Sequence, residues 1–144
     1  MAVSSEECAR EIIDVVPLVM RVIRSEMHAQ RGPDITVPQF RSLRFISRYP
    51  DVSLSDVAGH IGLTLPSMSK MINGLVNRGL ITRNPSTIDR RCIVLAVTKR
   101  GNEILKTAED NTQAVITKTL STLSNDEREL VVRTMLVLQR SFGG

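Results

Sequence analysis

The strongest constraint on this chain lies between Val52 and Val97, where four short elements follow one another with almost no spare residues. Ser53 is placed to cap a short helix over Leu54–Ile61, with Asp56 in its first turn. A second helix begins at Thr64, tolerates Pro66 near its start and runs to about Arg78. Between them, His60-Ile61-Gly62-Leu63-Thr64 makes a tight turn, with glycine where a left-handed backbone is needed. The apolar positions Val57, Ala58, Ile61 and Leu63, then Met68, Met71, Ile72 and Leu75, suit two short helices crossing steeply, with Ala58 at the contact. Leu80-Ile81-Thr82-Arg83 reads as a short strand ended by Asn84-Pro85-Ser86, and Ile93, Leu95 and Val97 alternate as the inward face of a second. Thr87-Ile88-Asp89-Arg90-Arg91 is left as the loop of a hairpin.

A pair of crossed helices with this turn has helix-turn-helix spacing, and a hairpin directly after it makes a wing. The second helix leaves Ser67, Ser69, Lys70, Asn73 and Asn77 on its outer side. Hydroxyls, amides and one cation are groups that reach base edges and phosphates in a major groove. The wing carries adjacent arginines, and an arginine at a loop tip suits a narrow, electronegative minor groove. Asp89, two residues before Arg91, is placed to brace its guanidinium by a two-pronged pair. Charge follows the same division. Residues 36–101 hold ten basic side chains against three acidic ones, +7, whereas the whole chain carries only +4, so the remainder is at −3. A basic middle between acidic ends presents one surface to a polyanion and another elsewhere. A winged helix used as a protein-docking module is the alternative, but docking requires neither this charge excess nor paired wing arginines.

The segments on either side read as long helices. Ser4-x-x-Glu7, Thr36-x-x-Gln39 and Ser124-x-x-Glu127 have capping-box form. The first opens a helix ending near Arg31-Gly32-Pro33, with Pro17 inside it and expected to bend it. The second opens a helix carrying Phe40, Leu43 and Ile46, closed by Tyr49-Pro50. Thr98 caps a long helix through Ile104, Leu105, Ala108, Val115, Ile116 and Leu120, and a last helix runs from Asn125 to about Arg140. The first helix is apolar over most of its circumference, from Ile12 through Val15, Val16, Leu18 and Val19 to Ile23. Such a helix must be buried nearly all round, and terminal helices find that cover in a subunit interface. The expected class is therefore mainly α with a small β-hairpin wing. A single domain over 1–144 holds a winged helix-turn-helix lobe at 36–98, flanked by dimerisation helices at 4–31 and 99–142.

Other classes of function lack their residues. No nucleophile constellation, phosphate loop or acid–base pair appears, and neither His28 nor His60 has a catalytic partner at readable spacing, so no enzyme activity is expected. Cys8 and Cys92 form no CxxC or Cys/His cluster, so neither a metal nor another cofactor is expected, and a reduced cytoplasmic setting fits. The aromatic content, 3% with no tryptophan, offers no stacking platform for single strands. No apolar run approaches the roughly 20 residues of a membrane span, so no membrane partner is expected.

The chain resembles the MarR family, regulators named for multiple antibiotic resistance. The resemblance rests on Ile35-Thr36-x-x-Gln39-Phe40-x-x-Leu43 and Leu54-x-x-Val57-Ala58-x-x-Ile61-Gly62-Leu63. It continues through Gly79-Leu80-Ile81-x-Arg83 and Asp89-Arg90-Arg91-x-x-x-Leu95-x-Val97-Thr98-x-x-Gly101, with Val97 standing where leucine is common. It implies a homodimeric transcriptional regulator, expected to be a repressor, that binds the double-stranded DNA of a pseudo-palindromic operator. The residues expected at DNA are Thr64, Pro66, Ser67, Ser69, Lys70 and Asn73 on the second short helix, with Asp89, Arg90 and Arg91 on the wing. The family commonly senses small aromatic or phenolic ligands in a cleft beside the DNA-binding lobe. Met20, Ile23, Met27, Phe40 and Arg44 are the residues expected to line it here, with Arg44 placed to meet a carboxylate. A minority of the family senses oxidants through cysteine. Cys8 would be the candidate, although Glu6, Glu7 and Glu11 around it oppose thiolate formation, and Cys92 reads as an ordinary strand residue.

Overall fold

Four helices open on the same local device. Ser4, Thr36, Ser53 and Ser124 each accept a hydrogen bond from the backbone N–H three residues on, and the side chain at that position accepts in return from the capping residue's own N–H. The computed structural model describes residues 2–144, and among these it forms six helices and one two-stranded sheet. In order they are α1 (Ser5–Ala29), α2 (Val37–Arg48), α3 (Leu54–Ile61), α4 (Leu65–Asn77), β1 (Ile81–Pro85), β2 (Ile93–Val97), α5 (Lys99–Leu120) and α6 (Asn125–Phe142). The expected mainly helical architecture with a hairpin wing is present. No helix among the described residues is long and apolar enough to cross a membrane.

The chain divides into two compact units, Met1–Thr112 and Gln113–Gly144, with residues of α5 in each. In the first, the core is filled by one face from each short element. Phe40, Leu43 and Ile46 of α2 are buried, as are Val57 and Ala58 of α3, and Met68, Ile72 and Leu75 of α4. The spacings of four and three within α4 put its three buried side chains on a single helical stripe. Leu80, Ile81 and Leu95 bring the base of the hairpin into the same cluster. Gly62 closes α3 at φ +84°, ψ +30°, and its N–H donates to the Ala58 carbonyl at 2.9 Å. A β-carbon is strained in that left-handed conformation, which is why glycine stands at the turn.

The hairpin is antiparallel, with Ile81 opposite Val97 and Pro85 opposite Ile93. It is anchored at three points. Leu95 N–H donates to the Val52 carbonyl at 2.9 Å, Thr98 N–H to Leu80 at 3.0 Å, and the Thr98 hydroxyl to Gly79 at 2.6 Å. The same Thr98 oxygen accepts from Gly101 N–H at 3.1 Å and so caps α5. β1 runs through Asn84 and Pro85 rather than ending before them. A two-stranded sheet has only edge strands, so proline is tolerated in it. Ile93 is not on an inward face: it is 59% exposed, because the outer half of the hairpin extends beyond the core that Leu95 reaches. Cys92 lies just before β2 rather than within it.

α1 is continuous across Pro17 and ends at Ala29, two residues before the expected stop. Its only buried residue is Met27, while Ile13, Leu18, Val19 and Val22 are about half exposed or more. In the second unit, α6 buries no residue and exposes Leu130, Val132, Met135, Leu136 and Phe142. Each of the two helices thus carries an exposed apolar face.

Candidate functional site

α4 presents its polar residues because its apolar ones are committed to the core. With Met68, Ile72 and Leu75 inward, Thr64, Pro66, Ser67, Lys70 and Asn73 are exposed and Ser69 is half-buried. Thr64 is the N-cap, its hydroxyl accepting from Ser67 N–H at 3.3 Å. The first turn of α4 has no acidic side chain, so its positive end is not neutralised from within. Leu63, expected among the packed apolar positions, is instead 37% exposed, and Leu65, which sequence reasoning missed, is 51% exposed at the first position of the helix. Leu65 continues the 68–72–75 stripe toward the start of the helix, so its exposure marks where the core ends, which periodicity does not give.

The wing tip is held by its own side chains. Ser86, one of the few buried polar residues, accepts at Oγ from Ile88 N–H at 3.1 Å and from Asp89 N–H at 3.4 Å. Ser86 N–H donates to the Cys92 carbonyl at 2.8 Å and Cys92 N–H to that of Asp89 at 3.0 Å, which closes the loop. Asp89 then takes Arg91 twice over. Its carboxylate accepts from Arg91 N–H at 3.1 Å, from Nε at 3.3 Å and from Nη2 at 3.5 Å. The Arg91 side chain nevertheless remains 91% exposed. A surface pair of this kind adds little stability, but it fixes where a guanidinium points. Arg90 and Ile88 beside it are also exposed, Ile88 by 86%. The Ser86 anchor was not foreseen; its signal is a hydroxyl residue two positions before the loop residue whose N–H it accepts.

A cleft of about 730 Å³ opens between α1, α2 and α3 in the first unit. Of the five residues expected to line it, Met20, Ile23 and Arg44 do so. Met27 and Phe40 lie beneath it, 6% and 0% exposed, as part of the core. The rest of the lining is cationic and aromatic. Arg24 and His28 enter from α1, Arg41, Phe45 and Arg48 from α2, Tyr49 from the α2 C-cap and His60 from α3. The Phe45 and His60 rings stack at 4.2 Å with 15° between planes, and Tyr49 tilts against Phe45 at 4.9 Å. Burial holds the His28 pKa below its ordinary value, and Arg41, Arg44, Arg24 and Arg31 push it the same way. Burial likewise lowers that of Arg44, with Arg48 and Arg24 adding and Glu109 opposing. Sequence reasoning missed the cationic lining, although Arg41, Arg44 and Arg48 recur at the spacing of one face of α2.

Comparison with known proteins bears on what these surfaces do. The sequence model of the MarR family matches residues 35–93. The HTH-type transcriptional repressor Rv2887 of Mycobacterium tuberculosis is 30% identical over 104 residues, which are 72% of this chain and 75% of that one. Among solved structures, the transcriptional regulator Tm0710 of Thermotoga maritima is similar with a TM-score of 0.77 at 20% identity, over 94% of this chain and 99% of that one. Streptococcus pneumoniae FabT, solved in complex with DNA, is similar at 0.58 and 25% identity, over 94% and 96% of the two chains.

Proposed function

The chain belongs to the MarR family and is a DNA-binding transcriptional regulator, and from that premise we propose that it is a homodimeric repressor released from its operator by a small aromatic anion. Residues 36–98 form the DNA-binding lobe, and residues 4–31 and 99–142 the helices that dimerise. In a two-fold dimer, two copies of α4 enter successive major grooves of a pseudo-palindromic site, about 34 Å apart. Thr64, Pro66, Ser67, Ser69, Lys70 and Asn73 meet base edges and phosphates there, while Arg90 and Arg91 grip the flanking minor grooves. Occupying that DNA excludes the transcription machinery. An effector in the cleft beside α3 favours an arrangement of the two lobes that no longer matches the groove spacing, a shift of population rather than a block at the DNA.

The observation that carries this reading is Arg91, a guanidinium aimed outward at 91% exposure while Asp89 fixes its orientation from behind. A pair so exposed adds little stability, so on this reading the brace aims the cation at a partner. Its deletion is therefore the test, read as binding to the DNA flanking the protein's own gene. Arg91→Ala is expected to weaken binding by about 1–3 kcal/mol per subunit and to reduce the salt slope by about one per subunit. Asp89→Ala is expected to do less, because the cation remains. Lys70→Ala and Ser69→Ala are expected to reduce discrimination between operator and random DNA as well as affinity. Unchanged affinity and salt dependence in Arg91→Ala would remove the wing from the DNA interface and favour a docking module.

A further inference from the structure

We propose that the effector is at least a dianion: the cleft is built to take two or more negative charges on an aromatic frame, not the single carboxylate of a simple aromatic acid. This rests on the reading of the cleft as the effector site and specifies what it admits. Arg24, Arg41, Arg44 and Arg48 line one cavity together with His28 and His60, and no aspartate or glutamate lines it, although Glu109 from outside the lining partly offsets the charges of Arg48 and Arg24 at Arg44. Among the described residues the ion pairs are Arg91–Asp89 and Lys106–Asp110, so none of the four arginines is in one. Like charges gathered round a half-open space repel one another, and the fold has to hold them there against that repulsion. Anions supplied from outside relieve it. One carboxylate satisfies one guanidinium, two-pronged, and leaves three cations facing each other. A second anionic group on the same molecule removes a further share of the repulsion without a second cost of association.

The remaining lining sets the frame that carries those charges. Met20 and Ile23 give one apolar wall, and the stacked Phe45 and His60 rings give another against which a flat ring lies. The space of about 730 Å³ suits a drug-sized ligand. His60 also explains how occupancy is felt at DNA. It is in the last turn of α3, two residues before the Gly62 turn that leads into α4. A ligand gripped by arginines of α1 and α2 and stacked on His60 biases α3, and with it the recognition helix.

The test compares three probes that share a ring and differ in charge: salicylamide (neutral), salicylate (one negative charge) and 5-sulfosalicylate (two). Each is titrated calorimetrically into the DNA-free protein at about 0.15 M salt, where exposed charges are screened beyond about 8 Å. The expected order is sulfosalicylate tightest, by up to about fivefold over salicylate, the upper end of what one further partly screened ion pair delivers. Arg24→Gln and Arg48→Gln, whose side chains are exposed enough for the fold to survive, are expected to abolish most of that gap and to leave operator affinity without ligand unchanged. Equal binding of salicylate and sulfosalicylate would overturn the dianion proposal and leave the effector cleft standing. Failure of all three probes to bind overturns both. If the two glutamine variants also weaken DNA binding and lower its salt slope, the arginines are phosphate contacts instead.

Discussion

Replacing Gly101 by alanine tests how tightly α5 is seated on the hairpin that carries the wing. Gly101 is buried in the first turn of α5, where a β-carbon would stand 2.5 Å from the Leu80 carbonyl oxygen and 2.6 Å from Val97 Cγ1. Carbon contacts are comfortable at about 3.5–4.0 Å, so close to 1 Å of room must be opened. Neither neighbour gives way cheaply. The Leu80 carbonyl accepts from Thr98 N–H at 3.0 Å, Val97 is paired with Ile81, and Gly101 N–H itself donates to Thr98 Oγ1. Overpacking costs about 1–3 kcal/mol, and weakening one of these hydrogen bonds about 1 kcal/mol more. Against this, alanine gains about 1 kcal/mol of helix propensity over glycine. The net expectation is a loss of about 2 kcal/mol, which for a chain of this size lowers the melting temperature by about 5–10 °C. Thermal melts followed by circular dichroism measure it, with Gly59→Ala as the control. Gly59 sits in α3 with nothing within 4 Å of its would-be β-carbon, so alanine there should be neutral or stabilising. Operator affinity should fall in Gly101→Ala, because the displaced atoms anchor the wing. A Gly101→Ala protein that melts at or above the wild type would refute the close seating of α5 on Leu80 and Val97.

The apolar faces of α1 and α6 predict a sedimenting species of about twice the 16.0 kDa chain mass at micromolar concentration. Val19→Glu combined with Leu136→Glu should give a poorly stable monomer, and a stable wild-type monomer that binds operator tightly would defeat the dimer. Ser86→Ala takes the acceptor away from two wing-tip amides, so it should cost about 1 kcal/mol, speed amide exchange at Ile88 and Asp89 and weaken operator binding modestly. Unchanged exchange would show the tip to be held by other means. His28 has a lowered pKa in the fold, so below its ordinary value of 6.5 the unfolded chain binds the proton more readily. Stability to urea should therefore fall as pH drops from 6.5 through the lower folded value, and His28→Gln should flatten that dependence; an equal slope in the variant would assign it to another group.

What was readable in advance and what was not divide by how far apart in the chain the interacting residues lie. The capping boxes at Ser4, Thr36, Ser53 and Ser124 each join positions three apart, and the Asp89–Arg91 brace joins positions two apart. Such contacts follow from local backbone geometry almost regardless of the rest of the fold. Three of the boxes and the brace were legible, whereas Ser53 reads only as a cap and the equally local Ser86 anchor was missed. Periodicity carries less. It groups Met20, Ile23 and Met27 on one stripe of α1, correctly, but it does not say where along that stripe the core ends. Met27 is packed under Phe40 and its neighbours in the core, whereas Met20 and Ile23 face the cleft. Ile93 fails in the same way: alternation with Leu95 and Val97 gives it an inward side, but at that distance from α4 there is no core for it to enter. The cleft itself depends on side chains from position 20 to position 60, on three helices. Any one of Arg24, Arg41, Arg44 and Arg48 reads as an ordinary solvated cation. Only the packing of α2 against α3 and the course of α1 turn four unremarkable arginines into a concentrated field, and a field is a property of spacing in three dimensions that no window of sequence contains.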